Sequence, residues 1–248
     1  MTDSPTPAIA FEGVSKSFEN RAVLQDVSFA IAPGEALCIM GRSGTGKTVT
    51  LKLTIGLMAP DQGNIRIRGE DIVGLDEDKL SATRRQMGFL FQSGALFDSF
   101  TLNDNLRLPL ERFTKKSKGE VDSLIQKRLD DVGLGKDRYK MPADLSGGMR
   151  KRAGLARALI LNPCILLVDE PGSGLDRVTA GEIDALLVSI KETQKTTMVV
   201  ITHDPFGARR VGDRIAVLDQ GRLLAIGTAG DLERNESALV RALISEKE

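Results

Sequence analysis

The chain is poor in the residues that build metal centres and covalent staples. Among 248 residues there is one histidine, His203, and there are two cysteines, Cys38 and Cys164. A lone histidine excludes multi-histidine metal sites. Each cysteine sits in or beside an apolar run, so buried, reduced thiols are expected, in keeping with a cytoplasmic setting. A surplus of either charge is missing too: 34 Lys and Arg stand against 34 Asp and Glu. That balance removes the electrostatic case for nucleic acid, which calls for a basic surface. No apolar run approaches the roughly 20 residues that span a bilayer. Residues 1–7 are polar and proline-rich, unlike a signal peptide. The expectation is a soluble chain, or one held to a membrane by a partner.

What the chain does have is apolar content, 41% of its residues. That suffices for a substantial core in one large or two modest domains. There is no internal repeat. Residues 8–31 read as strands about a turn at Glu19-Asn20-Arg21. Asp61-Gln62-Gly63 reads as a second turn, followed by Ile65 and Ile67 at period two. Apolar runs at 36–40, 88–92, 165–168, 198–201 and 214–218 predict further strands, and 47–58, 146–161 and 180–191 predict helices. Between 94 and 163 the pattern is helical: Val121, Leu124, Ile125, Leu129 and Val132 share one face. Lys115-Lys116-Ser117-Lys118 reads as a solvated connector. Strands alternating with helices predict an α/β fold whose mainly parallel sheet is covered on both faces. Antiparallel strands precede it and a helical subdomain is inserted into it. The expected boundaries are 1–91 and 162–227 for the α/β core, 92–161 for the helical subdomain and 228–248 for a short, charged, helical tail.

Gly41-Arg42-Ser43-Gly44-Thr45-Gly46-Lys47-Thr48 carries the most chemistry. It lies between a predicted strand and a predicted helix, the context in which G-x-x-x-x-G-K-[ST] cradles phosphate. Glycines let the backbone come close to the phosphates, and amide N–H groups and the positive helix end face the anion. Lys47 supplies charge to the terminal phosphates and Thr48 a hydroxyl for Mg²⁺.

Downstream, the run Ile165-Leu166-Leu167-Val168 ends in Asp169-Glu170. Ligands bind at the carboxyl ends of such strands. Asp169 is placed to hold Mg²⁺, and Glu170 to orient or deprotonate the attacking water. Leu145-Ser146-Gly147-Gly148-Met149 opens a helix for which Ser146 is a good N-cap. It reads either as a capped helix alone or as a place where phosphate meets backbone, since paired glycines otherwise cost stability there. His203 follows a strand run; it is either structural or a γ-phosphate contact. Gln92 ends another run, where its amide would meet Mg²⁺ or water. Phe18 either stacks on adenine or fills the core.

Taken in order, the phosphate loop, Gln92, Leu145-Ser146-Gly147-Gly148, Asp169-Glu170, Ser173-Gly174-Leu175-Asp176 and His203 resemble the ATP-binding subunit of an ABC transporter. The resemblance runs from about Ile9 to Gly227 and implies an ABC-type P-loop NTPase that hydrolyses ATP with Mg²⁺. It implies further that Ser146, Gly147 and Gly148 bind ATP held by a second subunit, in a homodimer or paired ATPase, and that 173–176 links the two sites. Met149 stands where Gln is usual, and Phe18 where Tyr is usual in the adenine-stacking loop. Gln92-Ser93-Gly94-Ala95-Leu96-Phe97-Asp98-Ser99, Met149 and Val178-Thr179-Ala180 look like the ATPases of MCE-type lipid transporters, the Mla phospholipid system among them. Arg177 departs from the Pro often found there. This closer likeness implies an integral membrane permease, a periplasmic MCE lipid-binding protein, a small accessory subunit and a place on the cytoplasmic face of the bacterial inner membrane. Phe97, Phe100, Leu102 and Leu106 are the expected apolar contacts for the permease. The alternatives are lipoprotein release, solute import, a soluble ABC ATPase acting on DNA or ribosomes, and a non-catalytic nucleotide-binding regulator. The last usually lacks the base or the lysine, and this chain has Glu170 and Lys47.

Overall fold

The computed structural model describes residues 6–19 and 21–245, so the expected turn residue Asn20 lies outside the described residues. The chain opens with β1 (Ile9–Phe18), β2 (Arg21–Ile31) and β3 (Ala36–Met40), then α1 (Lys47–Thr54), β4 (Gln62–Ile67), β5 (Glu70–Asp71), α2 (Glu77–Arg84) and β6 (Met87–Leu90). Next come α3 (Leu102–Phe113), α4 (Lys118–Asp131) and α5 (Gly147–Leu159). The chain returns to the sheet through β7 (Ile165–Asp169), α6 (Arg177–Gln194), β8 (Thr197–Ile201), α7 (Pro205–Val211), β9 (Arg214–Asp219) and β10 (Arg222–Gly227). It closes with α8 (Ala229–Glu233) and α9 (Ala238–Ile244).

The strands form two sheets. One is antiparallel, in the order β2-β1-β4-β5; the other runs β10-β9-β3-β8-β7-β6. In the second, β9, β3, β8, β7 and β6 pair in parallel and β10 adds an antiparallel edge. Its inner strands β3, β7 and β8 are buried at every position, as uninterrupted apolar runs require when helices cover both faces. One core, with Ile9, Phe11, Leu37, Ile39, Leu51, Ile65 and Leu167, fills the space between the two sheets and α1. A second, with Cys38, Leu155, Leu166, Ile183, Leu187 and Val200, lies under α5, α6 and α7. The third, built by Leu102, Leu106, Val121, Ile125, Leu129 and Ala153, belongs to α3, α4 and α5.

Several local expectations are corrected. α1 stops at Thr54, not 58, because Gly56 takes a left-handed φ of 67° and its N–H closes on the Leu53 carbonyl. Gln62 already pairs with Ser15 in β4, so the turn precedes it. Cys38 is buried but Cys164 is exposed, since it precedes β7 rather than lying within it. The tail holds two short helices separated by a break, and β10 had no counterpart among the predicted strands.

Candidate functional site

Three strand ends build the site. β3 runs between its parallel neighbours β8 and β9, and the chain leaving it turns through the glycine-rich loop into α1. β7 and β8 end in register, with Asp169 opposite Ile201. Glu170 and His203 lie just beyond those ends and therefore meet. This is the edge at which open α/β sheets hold ligands.

A cleft of about 670 Å³ there is lined by Gly41, Arg42, Ser43, Gly44, Gly46, Lys47, Thr48, Gln92, Asp169, Glu170 and His203. Thr45 stands behind the loop, its hydroxyl donating to the Arg42 carbonyl at 2.9 Å. Val23, Met40, Val49 and Leu243 complete the wall. Leu243 comes from α9, and no sequence pattern pointed to it.

α1 starts from Gly46 at φ 98° with no side-chain cap. A Cβ at this position would lie 2.7 Å from both the Val23 carbonyl oxygen and Leu24 Cδ2. Only glycine fits. The other described α-helices are capped by Asp76, Thr101, Ser117, Ser146, Asp176, Asp204, Thr228 and Ser237. The first N–H groups of α1 have no such acceptor and sit at the positive end of the helix, which suits an anion. The Lys47 ammonium lies over the loop, donating to the carbonyls of Gly41 at 2.7 Å and Arg42 at 2.9 Å. Burial lowers its pKa, against the pull of Glu170 and Asp169.

Asp169 is 7% exposed at the end of β7. Burial first, and then the Glu170 charge, push its carboxyl above the ordinary value; Lys151 and Lys47 oppose them. Its Oδ1 is buried with no hydrogen-bond partner. An orphaned carboxylate oxygen is costly unless a positive group meets it. With the Thr48 hydroxyl and the Gln92 amide it makes a hard oxygen donor set, so the residues fit Mg²⁺. Among the described residues no group of three or more His, Cys, Asp and Glu could hold a metal. That accords with a cation bound by a single carboxylate together with substrate phosphates.

Glu170 is a non-glycine residue at φ 48°, a region that persists only where the surroundings impose it. Its N–H donates to the Ile201 carbonyl at 2.9 Å, and its carbonyl accepts from the Ser173 N–H at 3.2 Å and from Lys151 Nζ at 2.8 Å. Its Oε2 lies 2.7 Å from His203 Nδ1. Gln92 Nε2 donates to Ser173 Oγ at 3.1 Å. Gln92, Ser173, Glu170 and His203 thus form one connected set. Lys151 was missed from sequence: it sits inside Arg150-Lys151-Arg152, where nothing sets it apart from its basic neighbours.

Ser146, Gly147 and Gly148 do not line this cleft. Ser146 caps α5, accepting from the Met149 N–H at 3.3 Å. A Cβ on Gly148 would come 2.5 Å from Thr179 Cγ2, and one on Gly147 3.2 Å from Leu175 Cδ2. Packing within the chain therefore also keeps Gly148 small, while Gly147 is crowded only by the end of the Leu175 side chain. Phe18, at the end of β1, lies outside the cleft as well; its ring is 44% exposed, with Lys16 Nζ 5.6 Å from its centre. Such exposure removes the core reading of Phe18.

A family model described as ABC transporter matches residues 24–173. The chain is 42% identical over 238 residues to the "Probable ribonucleotide transport ATP-binding protein mkl" of Mycobacterium leprae, covering 96% of this chain and 69% of that one. It is 37% identical over 241 residues to the "Methionine import ATP-binding protein MetN" of Corynebacterium efficiens, covering 95% and 67%. The chain thus spans about two thirds of those two proteins. To the "Intermembrane phospholipid transport system ATP-binding protein MlaF" of Escherichia coli K12 it is 35% identical over 244 residues, covering 98% and 91%. A solved dimeric ATP-binding cassette in a post-hydrolysis state, bound to ADP and Pi, superimposes with a TM-score of 0.83 at 33% identity, covering 89% of this chain and 98% of that one. The chain belongs to the ABC transporter family and is one of its ATP-binding, ATP-hydrolysing cassettes.

Proposed function

We propose that this chain is the ATPase subunit of a membrane complex that transports lipid, a phospholipid, through an MCE-type system. The observation that carries the reading is its likeness to MlaF along 91% of that protein, supported by the 92–99 segment and Met149. Methionine import by MetN, at 37% identity, supports a second reading, solute import.

In either case the cleft does the same work. Lys47 and the amides opening α1 hold the β- and γ-phosphates of ATP. Thr48, Gln92 and Asp169 would hold Mg²⁺, which when bound offsets phosphate charge. Glu170 takes the proton of the attacking water. His203 engages Oε2, which leaves Oε1 for that proton. We assign the other ring nitrogen, Nε2, to the γ-phosphate, whose oxygens it can meet only as an N–H donor. The helix opened by Ser146 meets ATP held by a second cassette: it lines no part of its own cleft, and the similar solved cassette is dimeric. Phe18 borders adenine. ATP that touches both protomers stabilises the closed pair, and hydrolysis releases it.

The helical subdomain passes this motion to a permease. No helix of the described residues is long and apolar enough to cross a membrane. In the proposed assembly the transport path lies in a partner permease, and the chain sits on its cytoplasmic side. An MCE lipid-binding protein in the periplasm and a small accessory subunit complete the proposed assembly. The docking surface is the loop before α3. Phe97 and Phe100 are 49% and 38% exposed, and the buried Asn105 amide pins the loop by bonding Phe97, Phe100 and Thr101 backbone. Leu102 and Leu106, also expected on that surface, are instead fully buried in the subdomain's own core. Affinity purification from native membranes tests the reading. Recovery of an MCE protein with the permease is expected; a sugar or amino-acid permease without one would leave solute import. Phe97→Asp should keep ATP binding and weaken the permease association, as loss of a desolvated aromatic anchor does.

A further inference from the structure

We propose that Lys151 is a positioning residue: its ammonium holds the Glu170 backbone in the conformation that aims the carboxylate, and so ties the base of one site to the helix that meets ATP on the other. The inference rests on Glu170 being the base. Lys151 is 5% exposed, and lysines are rarely buried so far unless paired. Here the partner is a main-chain oxygen: Nζ donates to the Glu170 carbonyl at 2.8 Å. Glu170 sits at φ 48°, which costs energy unless contacts impose it. Two of those contacts, to the Ile201 carbonyl and the Ser173 N–H, are backbone bonds of the sheet end and the following turn. The third comes from a side chain on α5.

That origin matters. α5 begins at the Ser146 cap, and Lys151 lies five residues on, about 7.5 Å along the axis. A shift of α5 that follows contact at Ser146 moves the ammonium with it, because the helix is rigid over that distance. The flanking arginines do not reach Glu170. Arg150 Nε donates to the Leu145 carbonyl at 3.2 Å, and Arg152 Nε is buried with no partner. Burial lowers the Lys151 pKa, while Asp169 and Glu170 pull it back up. The charge is therefore spent against the two carboxylates of the site.

The test uses the full chain and four variants: Lys151→Met, which keeps the stem, Lys151→Arg, which keeps a donor, Glu170→Gln, and Lys151→Met with Glu170→Gln. Steady-state kcat and KM, ATP affinity by equilibrium titration and melting temperature are measured for each. Lys151→Met should lower kcat by about 10- to 10²-fold, the scale of a small misplacement of a reacting group, with KM and ATP affinity within about twofold of the parent. Lys151→Arg should restore much of the loss. Glu170→Gln should fall by roughly 10²–10⁴, and adding Lys151→Met to it should change little, since residues acting as one unit are not additive. Parental kcat in Lys151→Met overturns the proposal. So does an ATP affinity or melting temperature that falls in step with kcat, or an undiminished effect in the Glu170→Gln background. Parental turnover in Glu170→Gln would instead remove the base assignment itself.

Discussion

At the scale of single residues, the site is a balance between buried charges. Lys47 and Lys151 on one side, Asp169 and Glu170 on the other, share a space that water reaches poorly, and burial pushes both lysines down and Asp169 up. ATP brings negative charge into this set beside Lys47. Lys47→Ala should therefore abolish ATP binding or weaken it severely. The loss follows because the loop amides alone would face the phosphates without a compensating ammonium. Unchanged affinity in an equilibrium titration would take Lys47 out of the site. That the loop and the Asp169-Glu170 pair belong to one cleft was legible in the sequence because each stands in one contiguous stretch with a demanding residue pattern. Lys151 was not, because its partner is a backbone carbonyl 19 residues away and a carbonyl leaves no mark on sequence.

At the scale of elements, two helix starts differ in a way that bears on the proposed phosphate contacts. α1 has an uncapped glycine start and lines the cleft; α5 has the Ser146 cap and contributes no residue to the cleft lining. Ser146→Arg should block hydrolysis while leaving ATP binding by its own chain intact, because the added bulk and charge obstruct the site on the facing cassette. Ser146→Ala is the control: it loses the cap, about 1 kcal/mol of stability, without adding bulk. Mixing Ser146→Arg chains with Lys47→Ala chains yields dimers with one site carrying both changes and one carrying neither, and partial ATPase recovery is expected. Full activity of Ser146→Arg alone would refute the split site. The α5 start was legible through its cap. The crowding of its paired glycines by Leu175 and Thr179 was not, because those neighbours come from a later stretch of the chain, after β7.

At the scale of the whole molecule, two carboxyls from different elements meet where α6 packs against α7. Asp184 on α6 lies 8% exposed beneath α7, close to Asp204, which caps that helix. A Cβ on Gly207 would lie 3.2 Å from Asp184 Oδ2 and 3.1 Å from Asp204 Oδ2. Burial first, and then the Asp204 charge, push the Asp184 carboxyl from 3.8 to about 6, with Arg210 opposing. The folded chain thus keeps this proton longer than the unfolded one. The stabilisation is fully present below pH 3.8 and is lost as pH rises through about 6. Asp184→Asn removes the ionisation. It should raise stability at pH 7.5 by about 1 kcal/mol, allowing for solvent screening, and flatten this part of the pH dependence. Chemical denaturation across that range measures it; a variant no more stable than the parent at pH 7.5 would reject the assignment.

The sequence by itself determined the phosphate loop, the acidic strand end, the α/β alternation with its helical insertion, and membership of the ABC family. Each is written in local pattern: period, caps, glycine spacing, an apolar run closed by carboxylates. The order β10-β9-β3-β8-β7-β6 was decided only by tertiary structure, because β3 pairs with β8 and β9, segments more than a hundred residues away along the chain. That order sets Glu170 beside His203 and Gln92 beside Ser173. Packing beyond the sheet brings Leu243 of α9 to the cleft and buries Leu102 and Leu106 in the subdomain's own core while leaving Phe97 exposed, since burial depends on which neighbour arrives and not on the residue alone.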